Sequence, residues 1–112
     1  MRKIETQMNN AIRSRKDFRS GNTEVYNYFC SARNEVGAIV KLHGNKIAEV
    51  YKNSIVLFDG GWQTVTTKSR LNAIIDRFCN AATDGVFQKN YQWFVRDNGQ
   101  TVDFVNGYTF AE

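Results

Sequence analysis

The sequence predicts an α+β fold: an antiparallel meander sheet of five to seven strands, with an N-terminal helix and a central helix packed against it. Three observations predict it. Apolar residues recur at every second position through residues 23–58, with turn signals between the runs. Leu71, Ile74, Ile75 and Phe78 then fall at i, i+3, i+4 and i+7, one face of a helix. Period-two runs resume after Gly85, separated by Asn-Gly turns.

At 112 residues the chain is sized for one domain, 1–112. Residues 1–20 read as its basic N-terminal helix, and 23–112 as its sheet with the central helix over about 67–81. Within the first helix, Ile4, Met8, Ala11, Ile12 and Phe18 gather on one side over residues 2–18. Arg15 falls inside that stripe and has to snorkel, while Arg2, Arg13 and Lys16 share the opposite side. Gly21 takes the terminating role after Arg19 and Ser20.

Thr23 to Phe29 is the first predicted strand, with Tyr26 and Tyr28 on one face. Val36 to His43 is the next, returning through a Gly44-Asn45 turn into Lys46 to Tyr51. Ser54 to Phe58 follows. Asp59-Gly60-Gly61 turns the chain, and Trp62, Thr64 and Thr66 alternate with their neighbours as a short strand would. Thr66 or Thr67 is then placed to N-cap the central helix. Lys68, Arg70, Asn72, Asp76 and Arg77 lie off its apolar stripe. Beyond Asn80 to Gly85, strand material runs from Val86 to Lys89, Tyr91 to Val95, Thr101 to Val105 and Tyr108 to Phe110, with Trp93 and Phe104 as cross-strand partners.

The net charge of +4 is concentrated. Residues 1–20 carry six basic and two acidic side chains, and the rest of the chain carries nine of each. No apolar run is long enough to cross a bilayer, the N-terminus lacks a secretory core, and proline is absent. A compact cytoplasmic protein is expected. In that compartment Cys30 and Cys79 are expected as reduced thiols.

Catalytic patterns are missing from the sequence. His43 is the only histidine and stands by a turn, as a turn residue and not a metal ligand. Gly60-Gly61 is not followed by the Gly-Lys-Ser/Thr of a phosphate loop. No nucleophile elbow and no compelling carboxylate pair occurs. The expectation is therefore a protein without enzymatic activity, cofactor or metal. The candidate binding residues are Arg2, Arg13, Lys16, Arg19, Trp62, Lys68 and Arg70. The helix start around Lys68 and Arg70 has the form of an anion site, although its threonines are ordinary capping residues.

Two segments carry a resemblance. Leu42-His43-Gly44-Asn45-Lys46-Ile47-Ala48 and Gly61-Trp62-Gln63-Thr64-Val65-Thr66-Thr67-Lys68-Ser69-Arg70-Leu71-Asn72-Ala73 together resemble a signature of small bacteriophage accessory proteins. Gln88-Lys89 and Trp93-Phe94-Val95 resemble the tail of that group. The resemblance covers about residues 36–95 and leaves the basic helix outside. It implies a phage accessory product, and by analogy one acting stoichiometrically on a host protein or complex, an inhibitor of host defence being the sharpest form. The alternative is a nucleic-acid binder using the basic helix with Lys68 and Arg70. Homo-oligomerisation is left open, and no membrane partner is expected.

Overall fold

β2 (Thr23–Cys30) and β3 (Glu35–Leu42) pair antiparallel along their full length and form the spine of the fold. The computed structural model describes residues 2–111. α1 (Lys3–Ser14) and β1 (Phe18–Ser20) precede that spine. After it come β4 (Asn45–Val50), β5 (Ser54–Leu57), α2 (Val65–Phe78), β6 (Gly85–Lys89), β7 (Gln92–Asp97), β8 (Gln100–Asp103) and β9 (Tyr108–Ala111). The main sheet has six strands in the order β1-β2-β3-β4-β5-β9, all antiparallel. The α+β architecture and the helix placement follow the sequence reading.

The second hairpin region does not join the main sheet. β6, β7 and β8 form a separate three-stranded sheet. β9 leaves it and pairs with β5, matching Ile55 with Phe110. α2 lies between the two. Its Leu71, Ile74 and Ile75 are fully buried, in one core with Met8 and Ile12 of α1 and Val25, Val40, Ala48 and Leu57 of the main sheet. Each of these side chains larger than alanine contributes roughly 1.5–3 kcal/mol on burial. Val86, Trp93 and Val95 extend that core from the small sheet. Trp93 meets Phe104 edge-on at 5.3 Å, and Phe104 N–H donates to Trp93 C=O at 3.2 Å.

Asn72 locks α2 to the small sheet. Its Nδ2 donates to Val86 C=O at 2.9 Å and its Oδ1 accepts from Val86 N–H at 2.8 Å. One amide thus acts on the edge of β6 as a neighbouring strand would, and satisfies both backbone groups.

Several boundaries differ from the expectation. α1 ends at Ser14, not at residue 18. Arg15 takes the left-handed conformation (φ 58°), its N–H donating to Ile12 C=O, while Lys16 N–H donates to Ala11 C=O at 3.0 Å. Those two bonds stop the helix without glycine, and they put Arg15 in solvent, outside the stripe. Gly21 (φ 54°) belongs to the turn from β1 to β2. α2 spans 65–78 and not 67–81. Residues 62–64 are not a strand: Thr64 is the N-cap, its Oγ1 accepting from Thr67 N–H at 3.1 Å. The β3–β4 turn is His43-Gly44, one residue earlier than expected, with φ 53° and 77°. A two-residue turn of this hand matches the strand twist.

Candidate interaction surface

The sequence proposed seven binding residues, and the fold scatters them instead of gathering them on one surface. Arg2 is the N-cap residue of α1 and is exposed. Arg13 and Lys16 are exposed at the other end of α1. Arg19 stands exposed on β1, 3.9 Å from Glu24. Trp62 is exposed and Lys68 half-buried near the start of α2.

Arg70 is a correction. It is only 3% exposed, and its Nη1 lies 2.8 Å from Glu5 Oε2. Nε donates to Thr23 Oγ1 at 3.2 Å, and Ser69 Oγ donates to the same Glu5 oxygen at 2.6 Å. The guanidinium is therefore an internal tie between α1, α2 and β2. Being off the apolar stripe did not expose it, because α1 packs on that flank and brings a carboxylate. With Arg70 turned inward and the Thr64 and Thr67 hydroxyls paired at 2.9 Å, the start of α2 is a closed cap, not an anion cradle.

Trp62 is presented differently. It is 72% exposed, and Val65, at the first turn of α2, is 68% exposed. The loop beneath them is held by a series of hydrogen bonds. Phe58 N–H donates to Ile47 C=O at 2.8 Å, and Asp59 N–H to Asn106 Oδ1 at 2.8 Å. Asp59 Oδ1 accepts from Gly61 N–H at 2.8 Å, and Asp59 C=O from Trp62 N–H at 3.3 Å. Gly60 and Gly61 make this possible with φ of 70° and 92°. A Cβ at Gly60 would also stand 3.2 Å from the Ile47 side chain. Beside the indole is a groove of about 210 Å³, lined by Leu42, Ile47 and Thr66 among others. His43 lies at its rim, its backbone N–H donating to Asn22 C=O at 2.8 Å.

The helix-free face of the main sheet is polar and aromatic, a grouping that periodicity alone did not reveal. Tyr28 and Tyr51 hydroxyls are 2.5 Å apart, and Tyr51 donates to Glu49 at 2.6 Å. Burial, then the Glu49 and Tyr28 bonds, push the Tyr51 hydroxyl far up. Burial also pushes Glu49 up, but the bonds from Lys46 and Tyr51 outweigh it and hold the carboxyl below its ordinary value. Arg33 stacks 4.1 Å above the Tyr51 ring. Gly37 is what admits that ring, since a Cβ there would overlap it.

Among the described residues no group of three or more His, Cys, Asp or Glu side chains is placed to hold a metal ion. Cys30 and Cys79 are half-buried and not joined by a disulfide. No helix of the described residues is long and apolar enough to cross a membrane.

No curated protein and no solved structure matches the chain. A family model described as Kyanoviridae Gp96 protein matches residues 1–111. That span takes in α1, so the basic helix lies inside the family's extent and not beyond it, as the shorter resemblance implied. The chain belongs to the Kyanoviridae Gp96 protein family, a family of bacteriophage proteins.

Proposed function

We propose that this phage protein is a non-enzymatic accessory product that binds a host protein or protein complex in the host cytoplasm and modulates it. The observation that carries the reading is Trp62: a large indole, 72% exposed, on a loop hydrogen-bonded at both ends. An exposed tryptophan on a mobile loop loses much of its binding energy to ordering. A pre-set one does not, and tryptophan is a frequent interface anchor. Val65 and the adjacent groove widen the contact. Inhibition of a host defence complex is the sharpest form of this reading, and it rests on analogy with small stoichiometric phage proteins.

Affinity capture from host lysate, with wild type and Trp62→Ala side by side, tests the proposal. The expected result is a stoichiometric protein retained by wild type at high salt and lost from the variant, with both melting at the same temperature. Absence of such a protein, or equal retention by Trp62→Ala, refutes it. The nucleic-acid alternative loses Arg70 to the interior and keeps the exposed cations of residues 2–20 with Lys68. It requires material that washes off steeply as salt rises.

A further inference from the structure

We infer that the open edge of β2, with the groove below the end of α1, accepts an extended acidic segment of a partner protein as an added strand. The inference rests on the protein-binding reading above and names the chemistry of a second contact. β1 covers β2 only from Thr23 to Val25, while β2 continues to Cys30. Asn27 N–H donates to Asp17 Oδ1 at 2.9 Å, so this N–H points away from β3, toward the side of β1. Strand alternation gives Phe29 the same direction. Among the described residues nothing pairs with the Phe29 N–H and C=O, and its side chain is 61% exposed. Asp17 marks the closed end of this edge.

Inward from this edge, between the ends of α1 and α2 and over β3 and β4, lies a groove of about 200 Å³ lined by Arg13, Arg15, Asn27, Val36, Val50 and Lys52 among others. Three of its lining residues are cationic and none is a carboxylate. It collects charge from the segment that holds the protein's whole positive excess. An added strand would turn every second side chain toward α1, where Arg13 and Arg15 stand, and carboxylates there complete the pairing. The free Phe29 N–H and C=O favour a peptide over a nucleic acid, because a peptide supplies the matching acceptor and donor on one edge.

The test is a fluorescence anisotropy titration of the full chain with a labelled, end-capped eight-residue peptide alternating Glu and Val. The matching Lys/Val peptide and labelled oligo-dT of eight nucleotides serve as comparators. The acidic peptide should bind at least tenfold more tightly than either. Arg13→Gln with Arg15→Asn should weaken it at least tenfold, asparagine tolerating the left-handed position. Phe29→Pro should do the same, since its N–H faces solvent and no ladder bond is lost. Phe29→Glu gives a second reading that leaves the backbone untouched. Trp62→Ala should bind the peptide as wild type does. No binding of the acidic peptide, or unchanged binding by the Arg13/Arg15 variant or by both Phe29 variants, overturns the inference. Equal or tighter binding of oligo-dT overturns it in favour of a nucleic-acid surface. Trp62-dependent capture that survives in the Arg13/Arg15 variant leaves the protein-binding reading standing whichever way the peptide behaves.

Discussion

Replacing Arg70 with methionine keeps side-chain volume and helix propensity but strands the Glu5 carboxylate. Glu5 would retain only the Ser69 hydroxyl at 2.6 Å and the Arg2 backbone N–H at 3.4 Å. Both partners are almost wholly buried, with side chains 4% exposed. Breaking one side of such a pair costs about 3–5 kcal/mol. Set against a total of roughly 5–15 kcal/mol for a domain, that is a large share. Melting should fall by roughly 12–20 °C for a chain of this size. Urea denaturation is the assay, with an unchanged slope and a lower midpoint. Glu5→Met combined with Arg70→Met should recover most of the loss, because two apolar side chains leave no charge without a partner. Added salt should change the deficit little, since the pair is shielded from solvent ions. A single-variant cost below about 1 kcal/mol would refute the reasoning, and so would a double variant as weak as the two singles combined.

Asn72→Ala should cost about 2–3 kcal/mol by leaving the Val86 N–H and C=O without partners, and hydrogen exchange should then quicken first in β6. Arg15→Gly should raise stability by roughly 1 kcal/mol, because glycine adopts φ 58° without the Cβ clash; a lower urea midpoint would contradict that. Burial and then Asp97, which accepts from the Tyr108 hydroxyl at 2.7 Å, push this phenol up to about 12 from its ordinary 10.0. The folded protein holds that proton more tightly than the unfolded chain does, so the associated stability is complete below pH 10 and is lost as pH climbs toward 12. Tyr108→Phe should flatten the fall in stability across that window, and an identical slope would show that Tyr108 does not contribute.

Periodicity made α2 legible because Leu71, Ile74 and Ile75 announce one face by themselves. The hairpin at Asn98-Gly99 was legible for a similar reason, since turn chemistry is local, and the β3–β4 hairpin was legible to within one residue. Failures came where a distant residue decided. Arg70 looked solvated because its partner, Glu5, lies 65 positions away. Alternation across Trp62, Thr64 and Thr66 imitated a strand, yet it records a presented indole, a cap and a helix start. Tyr108 to Phe110 carries a strand pattern with no hint of which strand it joins. Trp62 was singled out as a contact residue from its type, while the hydrogen bonds that fix its loop became visible only with Asn106 and Ile47 in place. The groove beside Arg13 and Arg15 depends on a helix end that sequence placed four residues late.

β9 completes the main sheet from about fifty positions beyond its neighbour. During synthesis, Ile55 and Leu57 must therefore wait through the whole of the central helix and the small sheet before Phe110 emerges to flank them. A nascent chain released before that point would bear a bare, apolar ribbon margin, ready to recruit a sister molecule. Closure of the main sheet thus waits on synthesis of residues 108–111, and ribosome stalling ahead of Tyr108 should yield aggregates.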